Sequence, residues 1–371
     1  MRRRNRNLLS VCVVFLTTHF VAQSGGGPPT VQGPSGSDNP AQNSSQSASP
    51  APAAGSATAN QGTANQGTAQ SGAQAPESDS GVFVFRKQVE EVVLHATVLD
   101  AKQRFVTNLD KAAFTVYEDG HPQAITSFRH EDIPVAMGIV VDNSGSMREK
   151  RQKVNAAALN LVRASNPNDE VFVVNFNDEY YLDQDFTSNI NKLKDALEKI
   201  EARGGTAMYD ALVASADWMK RAKLEKKVVF VVTDGEDNAS AESLEQAVKR
   251  LQAENGPTVY AIGILGDEEH PKRARRALEV LAERTGGVAY FPKTLDEVDD
   301  ISRSVAHDIR NQYTIGYKPT TPKEQGGYRT VKVDAKSKSY GKLVVRTRSG
   351  YYAGQSTASA AGTQRIPSSS H

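Results

Sequence analysis

The sequence predicts an α/β protein, in which a doubly wound, mostly parallel, Rossmann-like sheet is flanked by a discontinuous antiparallel β-sandwich. Short apolar runs alternate with amphipathic helical stretches through the middle of the chain, as in a parallel sheet with crossover helices. These apolar runs are continuous, which indicates strands that are buried on both faces. Runs that alternate between apolar and polar residues lie before and after this region, and they are typical of antiparallel strands.

The first 80 residues are predicted to lie outside the folded part. An arginine-rich start, an apolar stretch over 8–22 and small residues after it indicate a signal peptide over 1–24. The apolar stretch is short for a membrane span, and an uncleaved N-terminal anchor is the alternative. Residues 25–80 are rich in Gly, Ser, Ala, Gln and Pro, which predicts a disordered low-complexity linker. The tail over 353–371 has the same character.

Charge and cysteine usage exclude some classes of function. The formal net charge is +1, and the arginines of the predicted signal account for it, so the rest of the chain is mildly acidic. A nucleic-acid-binding protein usually carries a basic face, so no nucleic-acid partner is expected. The single cysteine, Cys12, lies within the predicted signal peptide, and disulfide bonds are therefore not expected to stabilise the mature protein. We expect an exported protein that is periplasmic, exposed on the cell surface or secreted.

The two flanks of the α/β region are predicted to form the β-sandwich together. Residues 81–133 contain about four alternating strands, and Asp119-Gly120 between two of them is typical of a tight hairpin turn. Residues 312–352 contain three more alternating strands. A sheet as small as either set is seldom stable alone. We therefore expect the two sets to combine into one sandwich.

Residues 134–311 are predicted to form the α/β domain. Its buried strands are predicted at 135–141, 170–176, 227–233 and 258–264. Its helices are predicted at 148–165, 189–202, 207–223, 241–255, 271–285 and 295–310. Ligands of such a doubly wound sheet bind beyond the carboxyl ends of the parallel strands.

Oxygen-bearing side chains follow two of the predicted strands. Asp142, Ser144 and Ser146 come directly after the first strand, and Asp234 follows the third. Thr206 lies between them in sequence, behind a pair of glycines and at the start of a helix. All three places are expected at the same edge of the sheet. Because hard oxygen donors select Mg²⁺, Mn²⁺ or Ca²⁺ over softer metals, the sequence predicts a divalent-cation site, with Mg²⁺ favoured.

This predicted site leaves room for a ligand from outside the chain. Only two of the five groups carry charge, so a bound cation would keep residual positive charge. Mg²⁺ takes about six ligands, and five protein groups leave one position free. A carboxylate of a partner is the natural sixth ligand.

The pattern D-x-S-x-S over 142–146, with Thr206 in "GGT" and Asp234 in "TDG", resembles the metal-ion-dependent adhesion site of von Willebrand factor type A domains. The resemblance covers about 134–311. With the flanks included it extends over 82–352, and there it resembles a bacterial subgroup of exported proteins that is abundant in acidobacteria. It implies an adhesion-type module, not an enzyme, that binds a divalent cation and engages an Asp or Glu carboxylate of a partner protein.

The resemblance also implies a role for each predicted ligand. Ser144, Ser146 and Thr206 would contact the metal directly or nearly so. Asp142 and Asp234 would contact it directly or through water, depending on whether the site is open or closed.

Several alternatives remain open at the level of sequence. Ser146 alone could be a helix N-cap, and Asp210 and Asp237 could either support the ligands or be solvated acidic side chains. The cation could serve only to clamp three loops of a structural envelope protein. No hydrolase elbow, zinc-protease motif or phosphate-binding loop occurs in the sequence, so metal-assisted hydrolysis is the remaining enzymatic alternative.

Overall fold

The computed structural model describes residues 91–199, 201–266 and 270–354. The predicted signal peptide, the predicted linker and nearly all of the predicted tail lie outside these residues. Within the described part of the chain, no helix is both long and apolar enough to cross a membrane.

The described residues form fourteen strands and six α-helices. The strands are β1 (Val92–Leu99), β2 (Phe114–Glu118), β3 (His121–Gln123), β4 (Ile125–Arg129), β5 (Val135–Asp142), β6 (Glu170–Phe176), β7 (Tyr180–Thr187), β8 (Lys226–Thr233), β9 (Thr258–Gly263), β10 (Ala289–Tyr290), β11 (Tyr313–Tyr317), β12 (Tyr328–Ala335), β13 (Val344–Arg346) and β14 (Gly350–Tyr352). The helices are α1 (Arg151–Ala164), α2 (Ile190–Glu198), α3 (Met208–Trp218), α4 (Leu244–Leu251), α5 (Pro271–Thr285) and α6 (Glu297–Arg310).

The central sheet has six strands in the order β10-β9-β8-β5-β6-β7. All neighbouring strands are parallel except β6 and β7, which are antiparallel. The chain moves outward from β5 to β6 on one side and then returns to β8 on the other side. The strand order therefore reverses at β5, and its carboxyl end lies at the switch point where doubly wound sheets bind ligands.

Helices cover both faces of this sheet. Helices α1, α2 and α6 pack on one face, and α3, α4 and α5 pack on the other. Strand β5 alternates between the two layers, with Met137 and Ile139 in the first and Ala136 and Val140 in the second. This two-sided burial explains why the strand reads as a continuous apolar run.

The β-sandwich consists of two four-stranded sheets, in the orders β13-β1-β11-β4 and β14-β12-β2-β3. Each sheet takes strands from both flanks of the α/β region, and all of its pairings are antiparallel. Apolar residues of both sheets, including Leu94, Val116, Ile315 and Val333, share one buried core. The predicted fold class is thereby confirmed.

A buried carboxylate lies inside the sandwich. Glu118 accepts hydrogen bonds from the hydroxyls of Tyr317 (2.5 Å) and Tyr351 (2.9 Å). The guanidinium of Arg329 donates to its other oxygen at 3.2 Å. Because a buried charge needs a partner, this arrangement ties strands of both sheets together.

The predicted hairpin is present, but its second strand divides. Asp119 and Gly120 have φ angles of 48° and 79°, as a tight turn between β2 and β3 requires. Strand β3 ends at Gln123, and the chain then crosses to the other sheet as β4. The last predicted strand run divides in the same way, into β13 and β14.

Several elements of the α/β domain differ from the sequence prediction. The short strand β10 was not predicted, and α2 and α3 end earlier than predicted. Strand β7 was missed, because its residues are half-buried at an antiparallel edge and include Asp183 and Asp185. Helix α4 is shorter at both ends than the predicted 241–255. By contrast, α5 has the predicted bounds, with Pro271 at its first position and Gly286 in a left-handed conformation (φ 91°) after its end.

Candidate metal centre

Three loops approach one another at the carboxyl edge of the central sheet. The first loop (142–147) follows β5, the second loop (203–207) precedes α3, and the third loop (234–239) follows β8. Each of the five predicted ligands lies on one of them.

Backbone hydrogen bonds join the first loop to the second. The amide of Gly145 donates to the carbonyl of Gly204 at 3.1 Å, and the amide of Arg203 donates to the carbonyl of Asn143 at 2.9 Å. The two loops therefore hold each other in place through the main chain, and no side-chain bond is needed for their contact.

The second loop is joined to the third in a similar way. The carbonyl of Thr206 accepts from the amides of Asn238 (3.0 Å) and Ala239 (3.3 Å). The Thr206 amide donates to the side-chain oxygen of Asn238 at 2.9 Å. The amide and the carbonyl of Thr206 are thus both hydrogen-bonded to the third loop, and its side chain is buried.

The pair Gly204-Gly205 is required by steric constraints as well as by conformation. Gly204 has a φ of 73°, and a Cβ there would lie 1.9 Å from a carboxylate oxygen of Asp178. A Cβ on Gly205 would lie 2.7 Å from the side-chain oxygen of Asn238. The Gly205 amide donates to Asp178 at 2.6 Å. Any larger residue at these two positions would displace the second loop or the side chains of Asp178 and Asn238.

Asp142 ends β5 and is fully buried. One carboxylate oxygen accepts from the Ser144 amide at 2.7 Å, and the other accepts from the Thr233 hydroxyl at 2.6 Å. Burial raises the pKa of Asp142 to about 6, and the nearby charge of Asp234 acts in the same direction, although both hydrogen bonds oppose the shift. The carboxylate is therefore held in one orientation and is poorly solvated.

A chain of oxygens connects the first loop to the third. The hydroxyls of Ser144 and Ser146 lie 3.1 Å apart, and the Ser146 hydroxyl donates to Oδ1 of Asp234 at 2.8 Å. Ser144 and Asp234 are buried, whereas Ser146 is exposed. Both ends of this chain are therefore buried, and its middle member, Ser146, lies at the surface near the switch point of the sheet.

Lys150 completes this group. Its Nζ atom lies 2.6 Å from Oδ2 of Asp234, the oxygen that Ser146 does not use. The Lys150 side chain is only 15% exposed, and that of Asp234 only 1%. An ammonium group is thus packed against the predicted metal ligands.

The structure brings four of the five predicted side chains into one hydrogen-bonded group: Asp142, Ser144, Ser146 and Asp234. Thr206 joins this group through the backbone of its loop. Among the described residues, its hydroxyl forms no hydrogen bond with the other four side chains. Their roles as metal ligands stay predictions.

Ser146 is not a helix N-cap. It lies inside a short 3-10 turn, Gly145–Met147, and α1 begins only at Arg151. Lys150 occupies the cap position of α1, where no side chain accepts a hydrogen bond. The Ser146 hydroxyl bonds to Asp234, and the capping interpretation is therefore wrong.

Asp210 and Asp237 stabilise the segment that follows the third loop. Asp237 accepts from the Tyr209 amide (2.8 Å) and the Ser240 hydroxyl (2.7 Å). Asp210 accepts from the amides of Ala241 (3.0 Å) and Glu242 (2.8 Å). Neither is a freely solvated carboxylate, because both fasten this segment to the start of α3.

Two residues of the group, Thr233 and Lys150, were not predicted from the sequence. Thr233 directly precedes Asp234 at the end of a buried strand, and a hydroxyl there was a signal that could have been used. Lys150 lies in a charged run, "REK", which is ordinary at the surface of a helix. Nothing in the sequence distinguishes it from the two charged residues before it.

The chemistry of these donors fits a divalent cation. Ser144, Ser146 and Asp234 present hard oxygens at hydrogen-bond distances from one another, as Mg²⁺ prefers. The ammonium of Lys150 against Oδ2 of Asp234 indicates that this carboxylate attracts positive charge. The described residues contain no cluster of three or more His, Cys, Asp or Glu side chains that could hold a metal, so hydroxyls would have to supply much of the coordination.

Several solved structures are similar to this chain. A von Willebrand factor type A protein from Catenulispora acidiphila is 15% identical over 70% of this chain and 73% of that one, with a TM-score of 0.42. A minor pilin from Streptococcus sanguinis is 15% identical over 48% of this chain and 62% of the pilin, with a TM-score of 0.41. The vWF domain of a type V pili tip protein from Porphyromonas gingivalis is 14% identical over 48% of this chain and 97% of that one, with a TM-score of 0.39.

No curated protein matches the chain. The family model of the von Willebrand factor type A domain matches residues 137–236. This range begins in β5 and ends in the third loop, so it includes every residue of the oxygen group described above. The chain therefore contains a von Willebrand factor type A domain.

Proposed function

We propose that this protein is an exported binding module whose type A domain holds one divalent cation and uses it to capture an acidic group of a partner protein. Mg²⁺ is the favoured cation, and Mn²⁺ or Ca²⁺ would suit the same oxygens. The ligands would be Asp142, Ser144, Ser146, Thr206 and Asp234. When bound, the cation would supply a Lewis-acidic position for an Asp or Glu carboxylate of the partner.

The oxygen chain Ser144–Ser146–Asp234 is the observation that carries this proposal. It connects two loops that are 88 residues apart in sequence at the end of adjacent parallel strands. The Ser146 hydroxyl caps no helix and donates instead to the buried Asp234 carboxylate, although Ser146 itself is exposed. The Asp142 carboxylate stabilises this chain by accepting a hydrogen bond from the Ser144 amide.

The contacts between the loops favour capture of a partner over a purely structural metal. Backbone hydrogen bonds already join the first loop to the second and the second to the third. A metal that served only as a clamp would add little to such contacts. The hydroxyl of Ser146, which is exposed, is more useful to a ligand from outside.

The same arrangement gives little support to an enzyme. Type A domains generally act as interaction modules, and the carboxylate to which the Ser146 hydroxyl donates, Asp234, already pairs with the Lys150 ammonium. Asp142, whose pKa is raised by burial, is covered by Ser144 and Thr233.

Calorimetric titration with Mg²⁺ tests the cation site. Ser146→Ala and Thr206→Ala should each weaken Mg²⁺ binding by at least about tenfold, because each removes one predicted oxygen donor. Ser304→Ala is a matched control, since Ser304 is an exposed serine on α6 that bonds only to a carbonyl of its own helix. Unchanged Mg²⁺ affinity in both site variants would show that the ligand assignment is wrong.

Capture of a partner is tested with acidic surfaces. The protein should bind a matrix that carries Asp- and Glu-rich peptides in Mg²⁺ and should release it in a chelator, while circular dichroism shows that the fold persists. A matrix with the corresponding Asn and Gln peptides is the control. If chelation unfolds the domain and no acidic peptide binds, the structural alternative is favoured instead.

A further inference from the structure

We propose that the Lys150 side chain acts as an internal counter-ion of the cation site, neutralising Asp234 while no metal is bound and leaving that carboxylate when a divalent cation binds. This inference rests on the proposed function, because it concerns the regulation of the same site. It assigns to a residue of the chain itself a direct influence on metal affinity.

The contacts of Asp234 carry the inference. Its side chain is almost completely buried, and a buried carboxylate without a partner is strongly unfavourable. Oδ1 accepts from Ser146, and Oδ2 faces the Lys150 ammonium at 2.6 Å. Lys150 is the only residue that forms an ion pair with Asp234 among the described residues.

Hydrogen bonds on both sides of Lys150 fix the main chain from which its ammonium extends. The Lys150 amide donates to the carbonyl of Met147 at 2.9 Å, and its carbonyl accepts from the Val154 amide at 3.1 Å as α1 begins. The 3-10 turn and the helix thus fix the main chain on both sides. The side chain retains a path to solvent, since it is 15% exposed.

A metal ion and the ammonium compete for the same negative charge. Two positive groups at the same carboxylate repel each other, and this repulsion is strong where water is excluded. Binding of a divalent cation at Asp234 therefore requires the ammonium to leave. When only a fraction of the molecules has Asp234 free of the ammonium, the apparent affinity for the metal is reduced by that fraction.

The structure offers a matched control for this lysine. Lys153 lies three residues further along the same helix, and its Nζ atom lies 2.6 Å from Oδ1 of Asp296. Both side chains of that pair are exposed, at 53% and 83%. Lys150→Met and Lys153→Met change the net charge equally, but only the first removes the competitor.

The experiment compares Mg²⁺ titrations of the wild-type protein, Lys150→Met and Lys153→Met at fixed ionic strength. Lys150→Met should bind Mg²⁺ at least about tenfold more tightly than wild type. This change is expected if about nine-tenths or more of the metal-free wild-type molecules hold the Lys150–Asp234 pair, because only the remaining molecules can bind Mg²⁺. Lys153→Met should stay within about twofold of wild type, because exposed charges are largely screened. Chemical labelling of wild-type lysines gives a second readout that is independent of whether Lys150→Met folds. Acylation of Lys150 should become faster when Mg²⁺ is added, whereas acylation of Lys153 should not change.

The outcomes separate the two proposals. If wild type and Lys150→Met bind Mg²⁺ equally, or if labelling of Lys150 is indifferent to Mg²⁺, the counter-ion inference is wrong and the cation site stands. If neither protein binds Mg²⁺, Mn²⁺ or Ca²⁺, both the inference and the proposed cation site are wrong.

Discussion

Two buried carboxylates, Glu118 in the β-sandwich and Asp142 in the type A domain, have opposite electrostatic surroundings. Glu118 receives two tyrosine hydroxyls and the guanidinium of Arg329, so its charge is balanced by groups that belong to the core. Asp142 receives one hydroxyl and one amide, and the described residues form no ion pair with it. Burial alone therefore does not make a carboxylate structural. A carboxylate whose charge is balanced by its own core stabilises the fold, whereas an unbalanced one is available to a cation.

The largest expected effect comes from removing the balanced carboxylate. Glu118→Ala should lower the free energy of unfolding by about 3–5 kcal/mol, because it leaves the buried guanidinium of Arg329 without its partner. Urea denaturation with and without the substitution measures this loss. A loss below about 1 kcal/mol would contradict the structural role of Glu118, and Mg²⁺ affinity should not change while the protein is folded.

Asp142→Asn should have an effect of opposite sign. With a folded-state pKa near 6 and a reference value of 3.8, the ionised form of Asp142 is disfavoured in the folded protein. The loss of folding stability that this ionisation causes is absent below pH 3.8, grows as pH rises and is complete above about pH 6. In a chelator at pH 7.5, Asp142→Asn should therefore stabilise the domain by about 1–3 kcal/mol.

Urea denaturation at two pH values checks this second prediction. The gain should disappear at pH 4, where Asp142 is largely protonated in the folded state. One oxygen of the asparagine can keep only one of the two hydrogen bonds of Asp142, which sets the lower end of the range. An equal gain at both pH values would mean that the charge of Asp142 is not its cause.

The smallest effect should come from an exposed carboxylate. Glu225 pairs with Arg129 at 2.9 Å, and both side chains are nearly half exposed. Glu225→Gln should change the free energy of unfolding by less than about 1 kcal/mol, because surface ion pairs are well solvated and screened by salt. A larger loss in the same urea assay would show that this exposed ion pair also stabilises the fold.

The sequence predicted the central sheet well because its strands are buried on both faces. Such strands give continuous apolar runs, and the observed bounds of β5, β6, β8 and β9 differ from the predicted ones by no more than one residue at either end. Strand β7 lies at the edge, is only half-buried and includes acidic residues, so it gave no comparable signal. In the sandwich, the pattern predicted strands but did not predict that β3 and β4 lie in different sheets, because that choice depends on tertiary packing.

The candidate site was predictable where its chemistry follows directly from the ends of strands. Asp142 and Asp234 could be placed at one edge by topology alone. Lys150 could not, because its direction depends on the pitch of the 3-10 turn Gly145–Met147.

The pairing of β4 with β11 has a mechanical consequence. These neighbouring strands lead into and out of the type A domain, and they are hydrogen-bonded to each other, with Thr314 opposite Arg129. A pulling force applied between Glu91 and Gly354 would be carried by the ladders of the two sandwich sheets. The Tyr352 amide in β14 also donates to the carbonyl of Gln252, directly after α4, so the α/β region that contains the proposed cation site would bear part of the same load.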